Sequence, residues 1–218
     1  ESDLIKLVNK PKYIKILHPF YDHYPINISS IDARSNLGIG LDTKVFLFFG
    51  FIRPYKGLDV LLNSLQSLEK QMSNYIVLVV GESYERIEKY KVIVPKELKH
   101  KVIWENKYIG ERDIGKFFSA SDVLVLPYRS CTQSGVVQVG YHYGLPVVAS
   151  DIKGFQDYVV EGQTGYLFKS GSSEDLAAKL IDAISLNLLK VSKGINKFKE
   201  RCTWDFFSKK LIGFYESL

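Results

Sequence analysis

The 218-residue chain has little cysteine: Cys131 and Cys202 stand far apart, with no CxxC or histidine cluster beside either. That pattern supports neither a disulfide framework nor a zinc site, and it fits a reducing, cytoplasmic setting. No apolar run approaches the roughly 20 residues that cross a bilayer, and Glu1-Ser2-Asp3-Leu4 has neither the basic nor the apolar region of a secretory leader. Internal repeats and low-complexity tracts are missing too. A GxGxxG fingerprint should follow the first strand of a nicotinamide-binding fold, but Gly38-Ile39-Gly40 precedes that strand, which argues against a dehydrogenase. GxxxxGK[ST] is absent, and a P-loop kinase or ATPase falls with it.

What is present is ordinary globular material, 46% hydrophobic and 24% charged, which excludes disordered and collagen-like classes. The net charge of +5 suits anionic partners without choosing among them. Lysines scatter through 6–15, 96–101 and 190–210 without any nucleic-acid motif, so they read as solvated faces, with weak attraction to an anionic membrane surface as the alternative.

Short apolar runs recur at Val45 to Gly50, Tyr75 to Gly81, Lys101 to Trp104, Val123 to Pro127 and Pro146 to Ala149. They read as buried parallel strands. Between them Leu58, Leu61, Leu62, Leu65 and Leu68 mark a helical face, as do Ile114, Phe117 and Phe118, then Leu176, Leu180, Ile181 and Ile184. Strand and helix in alternation predict an α/β fold: a doubly wound, Rossmann-like parallel sheet of about six strands. Gly165 to Phe168 supplies the sixth strand, and Ser172 or Ser173 ahead of Glu174-Asp175 caps the next helix. Glu1 to Val8 reads as the tail of a helix, Tyr13 to Leu17 as a lone strand and His18 to Ser35 as a connection. Opening in mid-element in this way, the chain reads as a fragment whose N-terminal half lies outside it.

Two loops carry candidate chemistry. The first strand runs into Gly50-Phe51-Ile52-Arg53-Pro54-Tyr55-Lys56-Gly57, which puts two cations and two glycines at the carboxyl end of the sheet, where open α/β sheets bind ligands. Arg53 and Lys56 suit phosphate oxygens, and glycines admit a ligand close to the backbone; turn glycines with surface cations would read the same way. The second loop, Tyr128-Arg129-Ser130-Cys131-Thr132-Gln133-Ser134-Gly135, leads into a helix from about Val136 to Tyr143. Free amides at that helix start would hold a diphosphate, although a tight turn with Ser or Thr caps gives the same pattern.

Taken together, FFGFIRPYKGLDVLL, SASDVLVLPY, the segment from Gly144 to Asp151, GFQDYVVEGQTGYLF and TWDFFSKKL resemble the family 4 glycosyltransferases of GT-B architecture, the glycosyl transferases group 1 family. The resemblance covers roughly Lys44 to Leu218. It implies the nucleotide-sugar-binding C-terminal domain of an enzyme that moves a sugar, with retained configuration, from a nucleotide diphosphate-sugar to a glycan or lipid-linked acceptor. It implies no cofactor and no metal. Lys56 matches the family's diphosphate lysine, with Ser134, Gly135 and Val136 as the phosphate turn. Glu82 matches a position near sugar or nucleotide, and Tyr108 and Ile109 match the loop bracketing the base. By the same resemblance residues 1–40 are the remnant of an N-terminal domain and the interdomain connection, 41–200 the Rossmann-like domain and 201–218 a C-terminal helix. Catalytic side chains and acceptor contacts would lie in the missing domain, so the fragment alone is expected to be inactive. The cytoplasm, with peripheral contact at the inner membrane face, is the implied location.

Two departures stand out. The arginine that normally follows the first glycine is Phe51, with Arg53 as substitute. The glutamate pair flanking the phosphate turn is replaced by Cys131 or Thr132 and by Val139 or Gly140, leaving the Gln133 and Gln138 amides to hydrogen-bond hydroxyls. The alternative reading is therefore a relative that binds nucleotide without turnover, or a regulatory α/β module. His142 reads as structural or solvated, Asp122 as a capping or loop-anchoring aspartate, and Asp157 as a helix N-terminal charge or the counterpart of a family glutamate. Trp204 and Phe206 read as core or docking anchors, and Cys131, with no general base, as a poor nucleophile.

Overall fold

The computed structural model of the chain describes Leu7, residues 11–21 and residues 23–218. The chain divides into two compact units, Glu1–Phe20 with Asn196–Leu218, and Tyr21–Ile195. The larger holds β1 (Lys44–Phe49), β2 (Tyr75–Val80), β3 (Val102–Glu105), β4 (Val123–Leu126), β5 (Val147–Ser150) and β6 (Gly165–Phe168). All pair in parallel, in the order β3-β2-β1-β4-β5-β6. β1 is the pivot: Phe46 lies opposite Val77 on one side and Val123 on the other. The six expected strands are all present, each within a residue or so of its apolar run. Such runs stay apolar at every position because parallel strands are covered on both faces, and β4 and β5 are buried throughout.

The helices are α1 (Ser30–Asn36), α2 (Leu58–Glu69), α3 (Glu88–Lys91), α4 (Glu111–Ala120), α5 (Gly135–His142), α6 (Lys153–Gln156), α7 (Ser173–Ile184), α8 (Leu188–Glu200) and α9 (Trp204–Glu216). Alternate sheet residues Phe46, Phe48, Val77, Val79 and Val123 form one cluster with Leu58, Leu61 and Leu65 of α2 and Leu176 and Leu180 of α7. Phe49 points to the other face, 4.9 Å from the Phe118 ring of α4. Each such side chain contributes about 1.5 to 3 kcal/mol when removed from water, so the two-sided core fixes which loops meet at the sheet's end.

Local signals behave as their chemistry requires. Ser172 caps α7 by accepting from the Asp175 amide. Asp122 is an anchor: its carboxylate accepts from the Val45 amide and from buried Arg34, whose guanidinium also donates to the Leu41 and Thr43 carbonyls. That knot ties α1 to the start of β1 and β4.

Several expectations are corrected. Tyr13 to Leu17 forms no strand, because its unit offers no strand among the described residues for it to pair with. The stretch from His18 to Ser35 is not wholly connection: Ser29 accepts from the Asp32 amide and starts α1. Trp204 and Phe206 are not core residues; Trp204 is 63% exposed, and no residue of α9 is buried. Asp157 follows α6 as its C-cap instead of opening a helix. The expectation for Glu1 to Val8 falls outside the described residues except at Leu7, which is helical.

Candidate functional site

Because β1 pairs with β2 on one side and β4 on the other, the connections leaving β1 and β4 diverge and open a crevice at their carboxyl ends. Gly57 lets the two loops meet. Its φ of 66° is left-handed, and a Cβ there would lie 1.9 Å from the Pro127 carbonyl oxygen. Arg129 laces the loops further: its amide donates to the Tyr55 carbonyl at 2.7 Å, and its guanidinium grips the Pro54 carbonyl and both Asp59 oxygens.

The first wall is a 3-10 turn, Pro54–Lys56, that folds Lys56 back inside. Lys56 is only 7% exposed. Its ammonium lies against Gly50, where an added Cβ would sit 2.8 Å from Nζ, and 5.3 Å from the Tyr128 ring centroid. Burial first, then neighbouring Arg53, pushes Lys56 down to about 8. Both influences oppose the charge. Arg53 itself is exposed, with its guanidinium 4.4 Å over the Tyr84 ring; Tyr84 meets Phe51 edge-on at 5.2 Å.

The second wall is the start of α5. Its N-cap, Ser134, makes no side-chain cap hydrogen bond, so among the described residues the backbone donors of Gly135 and Val136 are left for water or a ligand. Ser134, just ahead, is buried beside the Tyr128 hydroxyl. Gln133 is exposed in the loop, whereas Gln138 is 1% exposed inside the fold.

Next to these walls Phe49, Gly50, Phe51, Gly81, Glu82, Tyr108 and Ile109 line a mostly apolar pocket. Gly50 belongs to both places, touching Lys56 and the pocket. The fold thus gathers Lys56 with Ser134 through Tyr128, and Glu82, Tyr108 and Ile109 around Phe51. It leaves Gln138 out of the open crevice.

Other expected residues have structural duties. His142 Nε2 donates to the Tyr24 carbonyl at 2.8 Å. Burial pushes the Cys131 thiol up to about 11, far from a thiolate, and its sulfur packs on Gly154. Sequence reasoning missed Tyr21, whose ring lies against Gly135, and Tyr84 and Tyr128, the rings beside the cations. Aromatics in loops carry no local signal of what they will face.

Residues 29–201 match the family model described as glycosyl transferases group 1. An uncharacterized glycosyltransferase of Methanocaldococcus jannaschii is 26% identical over 179 residues, 81% of this chain and 49% of that protein. Phosphatidyl-myo-inositol mannosyltransferase of Mycobacterium leprae is 27% identical, over 88% of this chain and 52% of that protein. Among solved structures, HepE of Anabaena in complex with UDP has a TM-score of 0.71 at 20% identity, covering 91% of this chain and 57% of that one. The chain spans about half the length of the curated relatives it matches. Its sheet is the Rossmann-like C-terminal domain of GT-B structures, and with the family model spanning residues 29–201 the chain belongs to the glycosyl transferases group 1 family.

Proposed function

We propose that this chain supplies the donor-binding half of a retaining glycosyltransferase, which moves a sugar from a nucleotide diphosphate-sugar to a glycan or lipid-linked acceptor at the cytoplasmic side of a membrane. The observation that carries the reading is Lys56: a buried lysine with no carboxylate among the described residues influencing its charge, its ammonium 5.3 Å from the Tyr128 ring whose hydroxyl lies beside Ser134, the N-cap of α5 that makes no side-chain cap hydrogen bond. Burying a cation without a partner is costly, and a ligand anion removes that cost. A diphosphate fits on both counts, since Lys56 and Arg53 supply charge from one wall and the Ser134 to Val136 amides supply directed donors from the other. The pocket of Phe51, Glu82, Tyr108 and Ile109 then takes the base. Burial of Gln138 leaves Gln133 as the amide open to a sugar or ribose hydroxyl. Acceptor contacts and the reacting side chains come from the other half of such an enzyme.

The match of HepE, solved with UDP, supports a nucleotide in this fold. The second reading, binding without turnover, is favoured by the absent glutamate pair at Cys131 or Thr132 and at Val139 or Gly140. Ligand-observed binding against UDP-, GDP- and ADP-linked sugars, with each nucleoside as control, tests the proposal. One diphosphate series binds and its nucleoside binds far more weakly. Binding of none of them overturns the reading.

A further inference from the structure

The connection ahead of the sheet is tied along two helices. His142 Nε2 donates to the Tyr24 carbonyl, and the Tyr143 hydroxyl donates to the Pro25 carbonyl at 2.9 Å. Gly115 of α4 leaves room for the same segment: a Cβ there would meet the Pro25 carbonyl oxygen at 3.1 Å and Asn27 Oδ1 at 3.2 Å. Held this way, the segment sets the Tyr21 ring on Gly135, the first residue of α5.

A Cβ added to Gly135 would meet Tyr21 Cε2 at 3.0 Å and the phenol oxygen at 3.7 Å. Gly135 does not take a positive φ, so its backbone does not demand glycine; the close contact it has is with the Tyr21 ring. In a helix the Cα–Cβ bond tilts toward the N-terminus, so a phenol at that position leans over the amide end. Gly135 and Tyr21 together therefore bring a phenol to the first residue of α5, whose N-cap Ser134 makes no side-chain cap hydrogen bond.

We propose that Tyr21 is a donor-binding residue, its hydroxyl donating to a non-bridging oxygen of the nucleoside diphosphate held at the amino end of α5. This rests on the diphosphate reading above and adds a third wall to it. Lys56 supplies the charge, α5 the amides and Tyr21 a neutral O–H. A hydrogen bond to an ionised acceptor is roughly twice as strong as one between neutral groups.

The test is titration of UDP, GDP and ADP, and of uridine, guanosine and adenosine, into wild type and Tyr21→Phe. The variant keeps the ring and its packing and removes only the hydroxyl, and thermal unfolding checks that the fold is intact. The expected result is about tenfold weaker binding of the diphosphate that wild type prefers, the scale of one charge-assisted bond, with its nucleoside unaffected. Equal diphosphate affinity in the two proteins overturns the proposal and leaves the site standing. Equal losses for nucleoside and diphosphate overturn it too, by assigning Tyr21 to the base or to the scaffold. If wild type binds no diphosphate, the site reading falls first and Tyr21 with it.

Discussion

Replacing Lys56 by Met separates function from stability, because the two are predicted to move in opposite directions. In the folded chain Lys56 is held down to about 8 from an ordinary 10.5, by burial and by Arg53. A base depressed on folding binds fewer protons folded than unfolded between those values, so the cost is fully present below pH 8 and fades as pH rises toward 10.5. The size of the depression corresponds to a cost of roughly 3 kcal/mol at pH 7. Methionine has a similar length, no charge and a flexible thioether that fills the same space. Lys56→Met is therefore expected to raise stability by about 1 to 3 kcal/mol at pH 7, read by urea unfolding, and by much less near pH 10. The same substitution should weaken nucleoside diphosphate binding roughly tenfold to a hundredfold, while the nucleoside is unaffected. In wild type the bound anion raises the affinity of Lys56 for its proton, so diphosphate binding holds below about pH 8 and declines above it, and Lys56→Met lacks that decline. A less stable Lys56→Met, or one that binds diphosphate as tightly as wild type, refutes the reasoning.

Two further predictions follow from the supports of the site. Gly57→Ala, with φ at 66° and a Cβ 1.9 Å from the Pro127 carbonyl oxygen, should cost about 3 kcal/mol or more in urea unfolding and abolish diphosphate binding; a neutral effect would mean that the two loops are not held together there. Asp122→Ala leaves buried Arg34 without its carboxylate and the Val45 amide without its acceptor, so it should cost about 2 to 3 kcal/mol yet leave diphosphate affinity per folded molecule unchanged, since the knot lies at the opposite end of β1.

Periodicity alone was enough for the layer order. Runs such as VLVLP and YIVLVV have no polar face, and only a strand covered on both sides tolerates that; with amphipathic segments between them a doubly wound sheet was the remaining solution. Spacing also marked the loops after β1 and β4, because glycines, cations and small residues concentrate where those strands end. Local grammar failed where the partner was distant. Tyr13 to Leu17 has strand composition, but a strand exists only with a neighbour to receive its hydrogen bonds. Ser29 and Asp32 carried a capping signal inside what read as connection. Gln133 and Gln138 looked equivalent in sequence, and only the place where α5 begins decided that one stays in an exposed loop while the other, inside the helix, turns to the interior. The burial of Lys56 without a carboxylate among the described residues was likewise invisible, since a lysine in a loop is solvated until the rest of the chain closes over it. Tyr21 is the clearest case: more than a hundred residues separate it from Gly135, and nothing local joins them. Sequence sets each element through neighbours a few residues away, whereas which side chains share a site is set by the packing of the whole sheet.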